Sequence, residues 1–330
     1  MHEPVAPDGG VVVEVHATGL CRSDWHAWAG HEDVPLPHVP GHELAGVVAK
    51  VGSGVERWRP GDRVTIPFVE GCGRCEWCMS GNAQVCPDQQ QPGFTHGGSF
   101  AERVALYAAD TNLVRIPTSV SMEAAASLGC RFATAYRGLV SRARLRAGEW
   151  LTVVGAGGVG LSAVLIAVAR GARVVALDPH PGALARAREL GAEHTIALDD
   201  TLGPEAAAAQ VHALTGGGSH VATDAVGGET AATTAMLSLR RRGRHVQIGL
   251  LPPLPDHPRI PMDRAIAWEL DLLGSHGMAA ADYPELLELV AAGTLAPQRL
   301  LERVVTLEEA AELLPVMEHT TSAGITVVRP

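Results

Sequence analysis

The densest set of metal-ligand side chains lies in GCGRCEWCMSGNAQVC, residues 71–86. Cys72, Cys75, Cys78 and Cys86 are separated by two, two and seven residues. Such short gaps let four thiolates surround one tetrahedral ion, and a shell closed by four sulfurs leaves no position for substrate. An iron–sulfur cluster is the alternative, but the spacing matches neither the bacterial nor the plant-type ferredoxin pattern. We therefore predict a structural zinc site.

The two remaining cysteines allow a metal site of a different kind. Cys21, Cys130 and His42, which lies in PGHELAG, together offer two sulfurs and one nitrogen. Three protein ligands on zinc leave a fourth position for water or substrate, as in a catalytic site. Each residue also has a structural interpretation, because either cysteine fits a buried apolar position and the histidine fits a hydrogen-bonded loop. The three lie far apart along the chain, so spacing alone does not join them.

Polar side chains crowd around the first of these cysteines in GLCRSDWHAWAG, residues 19–30. Arg22, Ser23, Asp24 and His26 supply a cation, a hydroxyl, a carboxylate and an imidazole within a few positions. An imidazole titrates near neutral pH and is suited to exchanging protons with solvent. Polar residues are common in loops, so this stretch by itself is a candidate part of an active site. Residues from elsewhere in the chain must complete that site.

A glycine-rich turn predicts a dinucleotide site. The strand WLTVV leads into GAGGVG at 155–160, which opens the helix LSAVLIAVARG, and the next strand ends at Asp178. In this context Gly155 allows the tight turn, Gly157 the approach of a pyrophosphate, and Gly160 close packing of helix on strand. Free N–H groups at the helix start favour the phosphates. Asp178 accepts hydrogen bonds from ribose hydroxyls and repels a 2′-phosphate, which favours NAD over NADP. A structural turn with this Asp as a helix N-cap is the alternative.

The elements that must position these residues fall into two compositional regimes. Residues 1–118 are rich in Gly and Pro and carry short β-branched runs at 11–15, 44–51 and 62–66, which predict strands. Residues 147–250 alternate apolar strands with helical patterns. This alternation predicts βαβ units and a parallel, doubly wound sheet.

Two further expectations concern the second half of the chain. The pattern predicts a helix over 229–243, with the basic cluster RRRGR at 240–244 as a solvated turn. The segment 276–330 predicts two helices, YPELLELVAAG and LEEAAELLPVMEH, and a final strand, AGITVV.

Composition and charge narrow the possible partners and compartments. The chain of 330 residues is 46% hydrophobic and carries a formal net charge of −10. Net acidity argues against a nucleic-acid or anionic-membrane partner. No uncharged apolar stretch reaches the ~18 residues of a membrane span, and the start does not resemble a signal peptide. We expect a reducing, cytoplasmic compartment, in which the six cysteines are metal ligands or nucleophiles rather than members of disulfides.

Several segments together resemble the zinc-dependent medium-chain alcohol dehydrogenases, a bacterial branch in particular, over nearly the whole chain. In chain order they are GLCRSDWHAWAG, LPHVPGHELAGVV, GDRVTIPF, the four-cysteine loop, GFTHGGSFAERV, LGCRFATAYRGL, VVGAGGVG, ELDLLGSHGM and AGITVV. The resemblance implies an α/β protein with a GroES-like β-barrel catalytic domain, formed by residues 1–130 and 276–330. A Rossmann coenzyme domain, residues 131–275, is inserted between the two segments.

The resemblance also implies roles around the metal. It implies three ligands of a catalytic zinc and one acid that approaches the metal during ligand exchange: Cys21, His42, Cys130 and Glu43. Asp24 then orients the zinc histidine, and Ser23 with His26 relays the alcohol proton.

The cofactor site implied by the resemblance joins the glycine turn to residues elsewhere. Arg22 is implied at the pyrophosphate, and Thr134 and Val159 are implied against the nicotinamide. The remaining residues of this site are those of the turn and its acid: Gly155, Gly157, Gly158, Gly160 and Asp178.

The expected reaction is hydride transfer between an alcohol and NAD, giving an aldehyde or a ketone, with two zinc ions per chain, one catalytic and one structural. A polyol, sugar-alcohol or formaldehyde-type dehydrogenase of the same fold is the alternative, and a noncatalytic nucleotide- and zinc-binding relative is another. The expected partner is a small alcohol or aldehyde, without nucleic acid or membrane. The family forms dimers and tetramers, so we expect a homodimer or homotetramer, joined through the sheet edge of the coenzyme domain.

Two features depart from the family pattern. Family members usually begin with a further strand pair, whereas this chain opens with MHEPVAPDGG, close to the strand at Val11. Either the start codon is misassigned or the barrel lacks that strand pair, which would leave an unpaired edge that exposes hydrogen-bonding groups. His31 and His38 lie near the site, and we interpret both as surface or pocket-wall histidines rather than metal ligands.

Overall fold

The computed structural model describes residues 3–199, 201–251, 256–318 and 324–330. The chain folds into two compact units. One runs to Ala133 and resumes at Gly277 and again at Ile325, and the other runs from Thr134 to His276. The first two residues of the opening segment, residue 319 of the predicted helix and residue 323 of the predicted final strand lie outside the described residues.

The described strands are, in chain order, β1 (Val11–Leu20), β2 (Leu44–Val51), β3 (Arg63–Thr65), β4 (Arg103–Leu106), β5 (Val114–Arg115), β6 (Trp150–Val154), β7 (Arg173–Asp178), β8 (His194–Ala197), β9 (Ser219–Asp224), β10 (Leu239–Gln247), β11 (Asp271–Gly274), β12 (Leu301–Thr306) and β13 (Ile325–Arg329).

The described α-helices are α1 (Arg22–Trp28), α2 (Glu76–Met79), α3 (Ala109–Asn112), α4 (Met122–Ala126), α5 (Ala133–Tyr136), α6 (Gly158–Ala169), α7 (Pro181–Leu190), α8 (Pro204–Thr215), α9 (Glu229–Leu237), α10 (Met262–Trp268), α11 (Tyr283–Ala291) and α12 (Leu307–Val316). Shorter 3₁₀ and π turns are Ala83–Val85, Leu128–Phe132, Arg137–Arg142, Ala280–Asp282 and Pro297–Leu300. None of the helices in the described ranges combines the length and the apolar character that a membrane crossing requires.

The first unit is organised by a sheet in the order β12-β13-β1-β2-β3-β5, with β4 also paired to β1. Alternate residues of β1, namely Val11, Val13 and Val15, face a core that they share with Leu44 and Val48 of β2. This alternation is typical of a strand with one face in a core. Two register shifts between β1 and β2 increase the local twist, because a bulge bends the strand that carries it.

The pairing of β1 with β2 brings the candidate metal ligands together. Thr18 lies opposite Leu44, and the amide of Gly19 donates to the carbonyl of Glu43 at 2.7 Å. The residue after β1 is Cys21 and the residues before β2 are His42 and Glu43. Register therefore places residues that are distant in the sequence at one end of the same strand pair.

The second unit contains the predicted parallel, doubly wound sheet, in the order β11-β10-β9-β6-β7-β8. The pairs β6–β7, β7–β8, β6–β9, β9–β10 and β10–β11 are all parallel. From β6 the chain adds β7 and then β8 on one side of the sheet. It then returns to the other side of β6 and adds β9, β10 and β11. The direction in which strands are added therefore reverses between β6 and β9. In such sheets ligands bind beyond the carboxyl ends of the strands at this reversal. The predicted fold class is confirmed.

The predicted helix over 229–243 is too long. Helix α9 ends at Leu237, and the basic cluster lies within strand β10, which begins at Leu239. Leu239 is fully buried and pairs with Ser219 of β9, whereas the ladder resumes only at Arg244. Burial of this leucine draws the chain into the sheet immediately after the helix, and the arginines form an irregular stretch of strand rather than a turn.

Candidate active site

Asp24 is the organising acceptor of the first candidate site. It lies in the first turn of α1 and is fully buried. One carboxylate oxygen accepts from the amide of Cys21 at 2.8 Å. The other accepts from the amide of Gly41 at 3.1 Å and from Nδ1 of His42 at 2.9 Å. A buried carboxylate with three donors fixes both the start of the helix and the tautomer of the imidazole.

The ligand atoms of Cys21, His42, Glu43 and Cys130 lie within 4.8 Å of one another. Nε2 of His42 is buried and has no hydrogen-bond partner among the described residues. Because Nδ1 donates to Asp24, the lone pair on Nε2 points into this cluster as a free ligand. Two sulfurs and one nitrogen fit zinc, and an unpartnered buried nitrogen is expected where a metal completes the site.

Aromatic rings and a distorted helix border the cluster. Phe68 and Phe94 present edges to the His42 ring, at centroid distances of 6.3 and 5.3 Å. Cys130 lies in the π turn Leu128–Phe132, a rare form of helix that frequently occurs at functional sites. The hydroxyl of Tyr283 donates to the carbonyl of Gly129 in this turn at 3.3 Å. The position of the Cys130 thiol is therefore set by the π turn, and a regular α-helix would place this thiol elsewhere.

A buried ion pair lies beside the ligands. The Nε atom of Arg131 donates to one carboxylate oxygen of Glu43 at 3.1 Å, and a terminal nitrogen of the same guanidinium donates to the other. Burial raises the pKa of Glu43 against the opposing charge of Arg131. A Cβ on Gly19 would lie 2.0 Å from Glu43 Oε2, so this glycine makes room for the pair. Sequence reasoning missed Arg131, whose only signal is its position next to Cys130.

The two thiols of the cluster differ in acidity. A hydrogen bond from Cys130 and the nearby charge of Arg131 hold the pKa of Cys21 well below its usual range. The same hydrogen bond, together with burial, raises the pKa of Cys130 well above its usual range. The arrangement therefore favours a thiolate at Cys21, and a thiolate is the form that binds metal.

The four-cysteine loop forms a second cluster. The sulfurs of Cys72, Cys75, Cys78 and Cys86 lie within 4.8 Å of one another, and all four are free of disulfides. The amide of Cys78 donates to the sulfur of Cys75 at 3.5 Å, and that of Cys72 to the sulfur of Cys86 at 3.4 Å. Backbone donors lower the pKa of Cys72 to about 6, whereas burial raises that of Cys78 to about 12. Four sulfurs with amide donors fit a closed tetrahedral zinc site.

The other predicted residues of GLCRSDWHAWAG lie on helix α1. The hydroxyl of Ser23 lies 3.9 Å from the sulfur of Cys21, so a group bound beside that sulfur is within its reach. Arg22 is exposed and its guanidinium lies over the ring of Trp25 at 5.4 Å. His26 makes a contact outside this cluster, with His31.

The glycine turn in the second unit connects β6 to α6. Gly155 has a φ of +93°, which favours glycine, and a Cβ on Gly160 would lie 1.7 Å from the carbonyl of Gly155. A Cβ on Gly157 would meet nothing within 4 Å. Gly158 and Val159 open α6, so their amides are among the free donors of the helix start. The structure places Thr134 within α5 and gives it little exposure.

Asp178 ends strand β7 beside this turn. Its carboxylate accepts from the amide of Ala156 at 2.7 Å and from the amide of His180 at 2.8 Å. The N-cap of α7 is His180 rather than Asp178, so the alternative role of the aspartate as an N-cap is not the observed one. The carboxylate therefore braces the glycine turn.

Comparison with known proteins identifies the family. The profile described as alcohol dehydrogenase GroES-like domain matches residues 7–118, and the one described as zinc-binding dehydrogenase matches residues 158–292. An alcohol dehydrogenase of Geobacillus stearothermophilus is 36% identical over 301 residues, which are 89% of this chain and 85% of the relative. The chain belongs to the zinc-type medium-chain dehydrogenase/reductase family. The predicted resemblance and the GroES-like and Rossmann-type domains are confirmed.

Solved structures resemble this medium-chain dehydrogenase/reductase over its full length. A crystal structure of an NAD-dependent alcohol dehydrogenase aligns with a TM-score of 0.88 at 31% identity, covering 100% of this chain and 94% of the other. A zinc-binding dehydrogenase from Sinorhizobium meliloti 1021, bound to NADP, aligns with a TM-score of 0.85 at 26% identity, covering 99% and 94%. Both nicotinamide cofactors therefore occur among proteins of this fold.

Proposed function

We propose that the protein is a zinc-dependent alcohol dehydrogenase that transfers hydride between an alcohol and NAD, giving an aldehyde or a ketone. The observation that carries the proposal is the unpartnered Nε2 of His42, buried between two thiols and held in one tautomer by Asp24. No described residue donates a hydrogen bond to this nitrogen. It is suited to a metal ion with an open position for a small oxygen ligand.

The proposal assigns two zinc ions per chain. Cys21, His42 and Cys130 would hold the catalytic ion, and the four-cysteine loop would hold the structural one. Bound at the first site, zinc supplies Lewis acidity, which stabilises negative charge on the substrate oxygen and polarises a carbonyl. The chain's own contribution is to orient the ligands through Asp24 and to offset the nearby carboxylate of Glu43 with Arg131.

Proton movement is assigned to helix α1. Ser23, beside the sulfur of Cys21, would accept the alcohol proton at its hydroxyl oxygen. His26 would then pass a proton to solvent, a role for which general acid–base catalysis favours a group titrating near the working pH. Burial lowers the pKa of His26, and a proton on His31 or the charge of Arg22 lowers it further, so the ring is uncharged and ready to accept at neutral pH.

The cofactor assignment follows from the second unit. The amides of the turn from Gly155 to Gly160 would cradle the pyrophosphate, and Asp178 would accept from ribose hydroxyls and disfavour a 2′-phosphate, which supports NAD over NADP. Arg22 would contact the pyrophosphate, and Thr134 and Val159 would pack on the nicotinamide.

The larger assignments are also part of the proposal. Residues 1–130 and 276–330 would be the catalytic domain and residues 131–275 the coenzyme domain. The strand β11 is an edge of the parallel sheet, and Leu272 on it is partly exposed. An open sheet edge with apolar side chains is a natural pairing surface, which supports a homodimer or homotetramer through this edge.

A panel of small alcohols and aldehydes tests the proposal. The zinc-loaded protein is mixed with each compound and NAD(H) or NADP(H), and absorbance of the reduced cofactor is followed. We expect turnover with NAD(H), weaker turnover with NADP(H), and none for Cys130→Ser at equal protein concentration. A zinc-loaded, nucleotide-binding protein without turnover on any compound would instead be a noncatalytic relative.

A further inference from the structure

His31 is brought back against His26 by a left-handed turn. Helix α1 ends at Trp28, and Gly30 then adopts a φ of +78°. The amide of His31 donates to the carbonyl of His26 at 2.9 Å. Glycine is favoured at such a φ because a side chain would be strained there. The backbone therefore sets the second histidine beside the first.

The two imidazoles are hydrogen-bonded ring to ring. Nδ1 of His26 lies 2.9 Å from Nδ1 of His31. Trp25 presents its edge or face to both rings, at centroid distances of 5.0 and 5.2 Å. Trp25 is itself buried in a core cluster with Ala310 and Leu314 of α12. The histidine pair thus stands on a fixed aromatic base at the protein surface.

The distance of 2.9 Å between the two Nδ1 atoms limits the number of hydrogens that the histidine pair can carry between its rings. Between two Nδ1 atoms at hydrogen-bond distance only one hydrogen fits, so one ring donates and the other accepts. Nε2 of each ring then remains for exchange with other groups. A first added proton strengthens the hydrogen bond by giving it a charged donor, whereas a second would place two hydrogens between the rings.

We propose that His31 is a positioning residue for the proton exit, taking from Nδ1 of His26 the hydrogen displaced when Nε2 of His26 accepts a proton. The N–H bond at Nδ1 of His26 breaks, a new N–H bond forms at Nδ1 of His31, and the hydrogen on Nε2 of His31 leaves to water. One proton enters and one leaves. The inference rests on the proposed function, because it extends the role given there to His26.

The charges around the pair support this direction of transfer. His31 is exposed, whereas His26 is partly buried. Burial lowers the pKa of His26, and a proton on His31 or the charge of Arg22 lowers it further, while Glu32 and Cys21 favour a positive charge on the ring. A proton that reaches His26 is therefore driven outward, to the ring that water reaches most easily.

His31→Gln tests the inference, because an amide keeps a hydrogen-bonding group at this position but takes up no proton. Histidine ring signals of the zinc-loaded protein are titrated by NMR, and kcat for alcohol oxidation is measured against pH. Because a proton on His31 opposes a positive charge on His26, removing this titratable ring is expected to raise the pKa of His26. The same change would lower kcat about three- to tenfold on the acid side of the profile, with little change in alkali. His16→Gln, an exposed histidine paired with Glu14 on β1, serves as the matched control.

A double-variant cycle separates this role from a structural one. If His31 acts through His26, adding His31→Gln to His26→Gln should change the pH profile by less than about 1.5-fold. An active enzyme in which His31→Gln leaves both the His26 titration and the pH profile unchanged would overturn the inference alone. Absence of turnover in the unaltered protein would contradict the proposed function, and the proton exit with it.

Discussion

Single buried polar groups decide whether the candidate metal site can form. Asp24 accepts hydrogen bonds from Cys21, Gly41 and His42, so it joins the start of α1, the loop before β2 and one candidate ligand. Without a carboxylate there, the imidazole is free to change tautomer and to lose its orientation. Groups that orient metal-bound histidines affect metal affinity strongly although they do not touch the metal.

Asp24→Asn should therefore weaken zinc binding while keeping the size of the side chain. We expect zinc affinity at the catalytic site to fall about 10- to 100-fold, measured by competition with a chromophoric chelator. Asp62→Asn is the matched control, because Asp62 is also an acceptor, for Arg59 and Arg115, but lies outside the cluster. Equal zinc affinity in Asp24→Asn and the unaltered protein would contradict the orienting role.

The ion pair between Arg131 and Glu43 shows why some contacts of single residues are not predicted from the sequence. Metal-ligand types are few, so the sequence together with a resemblance could predict two groups of cysteines, and the structure brings the members of each group together. The partner of a buried carboxylate is set by whichever cation the fold brings within reach, and the guanidinium of Arg131 reaches Glu43 only because Gly19 lacks a side chain. Neither the spacing of these residues nor their types predicts that contact.

Helices and strands were predicted well where the hydrophobic periodicity and the turn residues indicated the same structure. The strand–turn–helix around GAGGVG lies where the pattern indicates, because a buried strand, a glycine turn and an apolar helix each have a clear signature. Helix α9 was predicted too long, because arginines are good helix formers and nothing local reveals that Leu239 is buried in the sheet. The π turn around Cys130 likewise has no sequence signature.

Two glycines of the same turn should respond differently to alanine. Gly160→Ala would place a Cβ against the backbone of Gly155, so we expect a loss of stability of about 1–3 kcal/mol, measured by urea unfolding. Gly157 has a φ of −80° and open space around it. Gly157→Ala should therefore leave stability within about 0.5 kcal/mol.

Gly157→Ala is expected to affect nucleotide binding rather than stability. If the space at Gly157 serves a pyrophosphate, Gly157→Ala should weaken NADH binding about tenfold or more in a fluorescence titration, since a single methyl contact can cost about 1–3 kcal/mol. A Gly157→Ala variant with unchanged stability and unchanged NADH affinity would exclude the phosphate role. A stable Gly160→Ala variant would show that the turn can shift.

At the scale of the whole molecule, the proposed function assigns a structural role to one cysteine-containing cluster and a chemical role to the other. The ligand atoms of one cluster come from the ends of distant elements and include an imidazole with a free lone pair, whereas those of the other come from one short loop. Binding a metal in a loop of that kind contributes folding free energy, because the ligands are not preformed in the unfolded chain. In the proposal, the cluster of Cys21, His42 and Cys130 contributes chemistry instead.

Cys78→Ser and Cys130→Ser should therefore each lower the zinc content by one ion per chain, with opposite consequences. We expect Cys78→Ser to lower Tm by about 10 °C, equivalent to about 3 kcal/mol for a unit of this size, and to keep turnover well below that temperature. We expect Cys130→Ser to abolish turnover with a smaller change in Tm, because the closed site still holds its ion. Zinc is measured by elemental analysis after gel filtration and Tm by calorimetry. If either variant kept the full zinc content, or if Cys78→Ser abolished turnover while folded, the division between a structural and a catalytic ion would be wrong.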